Sequence, residues 1–317
     1  MSSRLAEVAK KVGVSEATVS RVLNGKPGVS ETTRQAVLAA LDVLGYERPS
    51  KLRGERARLV GLFLPELTNP IFPAFGELVG GGLVQQGYTP VLCTQTAGGI
   101  SEGDYIELLL EQRVSGVVFV GGQYSQADAN HAHYGRLTDL GIPTVSTDDA
   151  VAVELGWNHL RQLGHERIGL VLGPEDHVPS QRKLHAAQRL ASASGVDIEI
   201  AHSHYTLEAG QAAAARLLQA GVSGILCASD PLALGAVRAV RRAGKQVPDD
   251  VSIVGYDDSA LMNATDPALT TVRQPIEPMG RLVIELLVAQ LSGGRASTEE
   301  YLFEPELVVR GSTARAR

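Results

Sequence analysis

Apolar residues in the first 46 positions recur with the period of a helix. Leu5, Val8, Ala9 and Val12 fall at i, i+3, i+4 and i+7, which predicts an amphipathic helix ended by Gly13. Ser15 is suited to cap a second helix, whose inward face is Val19, Val22 and Leu23. Asn24-Gly-Lys-Pro-Gly28 is a dense turn signal. Ser30 caps a third helix, with Glu31 in its first turn, where the helix dipole favours a carboxylate. Val37, Leu41 and Leu44 form the buried stripe of that helix. Three short helices, the first two joined by a tight turn containing glycine, follow the helix-turn-helix plan.

From Leu59 onward the pattern changes. Leu59–Leu64, Val114–Val120, Arg167–Leu172, Gly224–Ala228 and Val251–Tyr256 read as short apolar strands. Amphipathic stretches near 70–87, 101–113, 150–163, 206–220 and 230–244 separate them and predict helices. Such alternation means βαβ units and parallel sheets. The span accommodates two subdomains side by side, with a ligand cleft at the carboxyl ends of their strands. The expected architecture is an all-α helix-turn-helix headpiece followed by an α/β core of two subdomains.

A chain of 317 residues, 44% hydrophobic, can bury one or two sizeable cores beside a small module. Cys93 and Cys227 both sit in apolar runs and read as buried, reduced thiols. No apolar segment with a cleavage site opens the chain, and no apolar run is long enough to span a bilayer. A cytoplasmic location without a membrane partner is therefore expected. The net charge of −6 is unevenly distributed: residues 1–58 carry 11 Lys and Arg against 6 Asp and Glu, and the remainder carries a net −11. A basic head on an acidic body suits a module that meets phosphates.

In a helix-turn-helix the second helix enters the major groove. Its outward residues here are Glu16, Ala17, Ser20, Arg21 and Asn24. Arg21 can donate a bidentate pair to guanine, Glu16 can accept from cytosine, and Ala17 offers an apolar contact. Ser15, Thr18, Ser30 and Thr33 can hold phosphates through hydroxyls or helix-terminal amides. The competing reading is a three-helix packing module with no DNA role.

The core pattern alone fits a free sugar-binding protein, a dehydrogenase-like enzyme or a repressor core. A dinucleotide enzyme requires Gly-x-Gly-x-x-Gly between a strand and a helix, and the nearest cluster, Gly76 to Gly82, lies inside the first helical stretch. No Ser/His/Asp or metal-ligand spacing stands out. The pairs His131/His133, His177/His185 and His202/His204 read as surface or packing residues. No catalytic residue, cofactor or metal is expected.

Leu5-Ala-Glu-Val-Ala9, Gly13-Val-Ser15, Thr18-Val-Ser-Arg-Val-Leu-Asn-Gly25, Val29-Ser30 and Leu44-Gly-Tyr46 resemble the headpiece of the lactose-repressor/purine-repressor (LacI/GalR) family. Asn69-Pro-Ile-Phe72, Leu163-Gly-His-Glu-Arg-Ile168, Ser229-Asp-Pro-Leu-Ala-Leu-Gly235 and Val247–Asp258 are similar to its periplasmic-binding-protein-like core. So are Leu269–Pro275 and Pro305–Thr313. The resemblance covers almost the whole chain. Gly45-Tyr-Glu-Arg-Pro49, Asn69-Pro-Ile-Phe-Pro73 and Pro174–Lys183 are most similar to the actinobacterial maltose-type regulators of the family.

The resemblance implies a transcriptional repressor that binds double-stranded operator DNA as a homodimer under a small-molecule effector, a sugar such as a maltodextrin. The alternative is a sugar-binding module with impaired or no specific DNA binding. It implies a headpiece at 1–46, a hinge at 47–58 and a core at 59–317. The core divides into 59–147 plus 275–303, and 148–274 plus the C-terminal strand. In the family, positions matching Glu16 and Ala17 set operator preference, and the one matching Arg21 reads a base. The hinge folds on DNA and wedges a leucine into the minor groove. Leu52 is the apolar candidate, although Pro49 comes one residue late and the segment before Val60-Gly61 is short. For the effector, the matching positions are Asn69, Phe72, Tyr205 as an aromatic wall, Asp257 as acceptor from ligand hydroxyls, and Gln274. Arg182 and Lys183 compete for the place of a basic residue. Two departures stand out. Gly141–Asp148 omits a strand end and loop that carry a ligand contact in the family, and 184–203 is shortened and lacks the usual Gly-Phe.

Overall fold

A computed structural model describes residues 4–23, 26–44, 58–95, 99–137, 142–294 and 298–317. The chain forms two compact units, the first made mainly of residues 1–59 and the second of most of the remainder.

The first unit is the three-helix module: α1 (Arg4–Val12), α2 (Glu16–Leu23) and α3 (Glu31–Val43). Gly13 joins α1 to α2 with φ +74°, a left-handed conformation that costs glycine little. The Oγ of Ser15 accepts from Thr18 N at 3.1 Å, and that of Ser30 from Thr33 N at 3.2 Å. Both are N-caps, each worth about 1 kcal/mol. Val8, Val19, Val22 and Val37 are fully buried among the helices, with Leu41 beside them and Leu5, Val12 and Leu23 at the margin.

The second unit alternates strands and helices. Its first half is β1 (Leu59–Leu64), α4 (Ile71–Gln85), β2 (Thr89–Thr94), α5 (Glu102–Glu111), β3 (Gly116–Phe119) and β4 (Thr144–Thr147), with two short 3-10 turns between β3 and β4. Next come α6 (Asp149–Gln162), β5 (Arg167–Leu172), α7 (Val178–Ser194), β6 (Asp197–His202), α8 (Leu207–Gln219) and β7 (Gly224–Cys227). The remainder is α9 (Asp230–Arg242), β8 (Ser252–Asp257), β9 (Thr270–Arg273), α10 (Ile276–Leu291), β10 (Glu300–Phe303) and β11 (Glu306–Val308).

The larger sheet has the order β11-β9-β8-β7-β5-β6, parallel except for β11 at one edge. Strands covered on both faces by helices are apolar throughout, and Ile168, Leu170, Ile225, Ile253 and Val254 are fully buried. From α6, Trp157 and Leu160 enter the same core. The smaller layer is divided: β2-β1-β3 form one sheet, in which β1 and β3 run parallel, and β10 pairs in parallel with β4 in another. The segment after β10 completes the larger sheet. Ser312 exchanges hydrogen bonds with Ile253 at 2.8 and 2.6 Å, and its Oγ accepts from Thr270 N at 2.8 Å. The imidazoles of His165 and His159 hold the next residues, at Ala314 O (3.1 Å) and Thr313 Oγ1 (2.9 Å). Among the described residues no helix is long and apolar enough to cross a membrane.

Candidate functional site

On the helical unit, Val19 and Val22 fix which face of α2 points inward. That leaves Glu16, Ala17 and Arg21 exposed and Ser20 half-buried on the opposite side. The hydroxyls of Ser15 and Thr18 pair at 2.9 Å at the N-terminus of α2, and those of Ser30 and Thr33 at 2.8 Å at that of α3. Hydroxyls and unpaired backbone amides at a positive helix end are a natural seat for phosphate. Asn24 and Leu52 lie outside the described residues, as does the hinge up to residue 57.

In the second unit, polar side chains converge where the strands end. Asn69 precedes α4, Thr147 ends β4, Asp149 opens α6, and Asp257 ends β8 with Gln274 just after β9. The two oxygens of Asp257 are divided between the two layers. Oδ2 accepts from Asn69 Nδ2 at 3.3 Å, and Oδ1 from Gln274 Nε2 at 2.7 Å. The other end of the Gln274 amide accepts from Thr147 Oγ1 at 2.7 Å. Asp257 is 4% exposed and sits at φ +116°, a conformation rare outside glycine. Burial pushes its carboxyl well above the usual range, the charge of Asp230 adds to this, and the amides of Gln274 and Asn69 oppose it.

Lys183 on α7 forms an ion pair with Asp149, both side chains 7% exposed, and its Nζ stands 4.2 Å from the centroid of the Tyr256 ring. Burial opposes the ammonium charge, but Asp149, Tyr256 and Tyr205 together outweigh it and raise the Lys183 pKa overall. The hydroxyl of Tyr205 meets Ser180 Oγ at 3.2 Å, and its ring lies nearly parallel to that of His177 with centroids 6.0 Å apart. This position of the ring requires Gly173, where any Cβ would overlap it. Between Lys183, Tyr256 and apolar side chains of β5 and β7 remains a cavity of about 10 Å³, the room of one water molecule.

Asn69, Lys183, Tyr205, Asp257 and Gln274 thus belong to one neighbourhood, with Phe72 at the start of α4 packing beside Ile71, Phe75 and Met279. Arg182 turns toward β10 and binds both oxygens of Glu300, at 2.6 and 2.9 Å, at a partly exposed position. One residue of helix rotation separates it from Lys183, and the burial of Lys183 decides which of the two faces the cluster. Thr147, Asp149, His177, Ser180 and Tyr256 were not among the expected residues. For two of them the connection is direct: β4 runs through the cap Asp148 straight into α6 and so carries Thr147 and Asp149 to the strand ends. Among the described residues, no group of three or more His, Cys, Asp or Glu is arranged to hold a metal ion.

A helix-turn-helix unit in one chain with an α/β core, whose polar groups meet at the strand ends, defines a ligand-responsive DNA-binding regulator. Residues 4–49 match the bacterial regulatory proteins of the lacI family, and residues 157–313 match the periplasmic binding protein-like domain. The HTH-type transcriptional regulator MalR of Streptomyces coelicolor is 51% identical over 337 residues, covering 100% of this chain and 98% of that protein. Among solved structures, the regulator CelR in complex with cellobiose is 30% identical with a TM-score of 0.72, over 97% of this chain and 99% of that one. The lac repressor dimer bound to operator and an anti-inducer is 27% identical with a TM-score of 0.74, over 97% and 98%. The chain belongs to the lacI family of bacterial transcriptional regulators.

Proposed function

We propose that the protein is a homodimeric repressor that binds a palindromic operator and is governed by a sugar effector, with maltodextrins the best-supported class. The observation that carries the effector half is Asp257, buried at a strand end and shared by Asn69 and Gln274 from opposite layers. A group that tethers both layers is where a ligand can alter their separation. Tyr205 and Tyr256 supply aromatic faces, and the carboxylates and amides suit hydroxyl groups. The bonds from Asp257 to Asn69 and Gln274 close the strand ends, so a sugar ring enters only if the two layers move apart, which would couple ligand entry to the arrangement of the headpieces. The names of the relatives, MalR and a CelR bound to cellobiose, support a sugar.

Two headpieces paired by the core would read two half-sites, as in the lac repressor dimer on its operator. The base-reading group is Glu16, Ala17, Ser20, Arg21 and Asn24, phosphates fall to Ser15, Thr18, Ser30 and Thr33, and Leu52 is the minor-groove wedge. The headpiece is 1–46, the hinge 47–58 and the core 59–317. Pairing of β4 with β10, and of β11 with β9, supports subdomains of 59–147 plus 275–303 and of 148–274 plus the C-terminal strand. No residue is assigned a catalytic role.

Selection from a palindromic DNA library at fixed salt, with and without maltose, longer maltodextrins and cellobiose, tests this reading. Enrichment of one palindrome that a sugar abolishes is the expected result. Enrichment that no sugar alters removes the effector half. Sugar binding without enrichment favours a sugar-binding module, the alternative that the omitted loop makes worth testing.

A further inference from the structure

Resting on the reading of the polar cluster as the effector site, we propose that residues 122–136 are a latch between the two layers of the core. The body of this segment belongs to the smaller layer, its tip docks on the larger one, and undocking of the tip sets how fast sugar enters and leaves.

The segment leaves β3 through Gly121 and Gly122, at φ +79° and +86°, a conformation that glycine adopts at little cost. A Cβ at residue 122 would lie 2.8 Å from Glu102 Oε2, so the turn is moulded around that carboxyl group. Glu102, in the first turn of α5, is fully buried and has no place in the polar cluster. Its Oε2 accepts from Gln123 N at 3.2 Å. Its Oε1 accepts from Tyr134 Oη and lies 3.3 Å from His133 Nε2. An acid is kept out of water only where such partners replace it. Tyr134 also meets Phe119 of β3 edge-on, with centroids 5.0 Å apart, and Tyr124 Oη lies 3.2 Å from Thr144 Oγ1 at the start of β4. The body of the segment is therefore fastened to the smaller layer.

The tip is attached differently. Ala127 N donates to Asp176 O at 2.8 Å, and Gln126 stands opposite His177 as an antiparallel pair. Residues 176 and 177 lie between β5 and α7, in the layer of the larger sheet. The same loop touches the effector site, because the His177 ring stacks on Tyr205. Its other end is fixed from within its own layer, where His202 Nδ1 meets Gly173 O at 2.9 Å. When the layers part to admit a sugar, the bond at the tip breaks and the bonds to Glu102 persist. A single backbone hydrogen bond from the exposed residue 127 is modest enough to open and close repeatedly.

Two variants of the full chain act on the tip, and stopped-flow fluorescence of the site tyrosines reads exchange of maltose and maltotriose in each. Residues opposite one another in an antiparallel pair have Cα atoms about 4.5–5.5 Å apart, within the span of a disulfide. Oxidised Q126C/H177C is expected to exchange sugar about tenfold or more slowly than the same protein reduced, because the latch is locked. Comparison within one protein cancels the loss of the His177 ring, and Cys93 and Cys227 are buried away from the oxidant. Ala127→Pro removes the N–H that reaches Asp176, and Gln126, at φ −93° and ψ 125°, already has the extended backbone that precedes a proline. It is expected to speed association and dissociation together by about two- to tenfold, with little change in Kd. A pair that oxidant cannot close, or an oxidised pair that exchanges as fast as the reduced one, overturns the latch and leaves the effector reading standing. So does A127P with unchanged rates or with faster dissociation alone. Failure of the wild type to bind maltose, maltotriose or longer maltodextrins removes the effector reading and the latch with it.

Discussion

Gln274 donates its side-chain amide to Asp257 across 2.7 Å while its carbonyl oxygen accepts from Thr147 at the same distance. One residue thereby links the end of β8 to the end of β4. A hydrogen bond to a charged group is worth about 1.5–3 kcal/mol, so Gln274→Leu is expected to weaken effector binding by about 10- to 100-fold. The sugar concentration that releases operator should rise accordingly, with operator affinity in the absence of sugar unchanged. A loss of both together would make Gln274 a structural residue only.

Arg21 is exposed on α2, and no part of the helical core depends on it. Arg21→Ala is expected to cost about 1–3 kcal/mol of operator affinity, with most of the discrimination between operator and random duplex lost. Thermal unfolding should be unaffected. Fluorescence anisotropy at two salt concentrations reads both affinity and specificity, and undiminished specific binding would count against α2 as the reading helix.

The buried pair of Lys183 and Asp149 gives a prediction for stability. Lys183→Met leaves Asp149 with no cation, at a cost of about 3–5 kcal/mol. Adding Asp149→Leu removes the orphaned charge, and the double variant should regain most of that loss. Urea unfolding of the four proteins closes the cycle, and additive effects of the two substitutions would show that the pair is not coupled.

Burial raises the carboxyl of Asp230 to about 6, from an ordinary value near 3.8. Between those values the folded chain holds a proton that the unfolded chain has released. Stability contributed by this group is therefore greatest at low pH and declines as pH rises from about 4 to about 6. A difference of about two pH units corresponds to roughly 3 kcal/mol. Asp230→Asn should remove that part of the slope when urea unfolding is compared at pH 4 and pH 7. A wild-type slope retained in the variant assigns the titration to other groups.

Where burial matches a simple period, the elements were legible. α1 to α3 read directly because valines and leucines face one small core, and β1 and β5 read with their full bounds because each is a continuous apolar run. α7 did not, because its inward face includes Ser180, Lys183 and several alanines, which no hydrophobic pattern marks. β6, at the edge of its sheet, leaves Asp197, Glu199 and Ile200 exposed and buries only Ala201 fully, so no apolar period marks it. β4, β10 and β11 are too short to carry a period of their own and are fixed by partners distant in sequence.

Asp257 was legible as the residue that follows an apolar strand, and the structure puts it at the end of β8 beside Asn69 and Gln274. Which of Arg182 and Lys183 turns inward depends on helix phase, which the pattern of α7 does not reveal. Asp149 and Tyr256 contribute through a buried charge and a ring face respectively, and both depend on where α7 packs.

The bonds of Ser312 to Ile253 and Thr270 have a consequence for the order of events during synthesis. The helical module needs only residues near the N-terminus and can form while most of the chain is still unmade. The larger sheet lacks its last strand and its final clamp until residues 306–314 have left the ribosome. A nascent regulator therefore passes through a stage in which it carries a finished DNA-reading head on an open core. Chains released prematurely by a stop codon anywhere between β9 and β11 would remain there, with the edge of β9 uncovered and β8 without its clamp at Ser312.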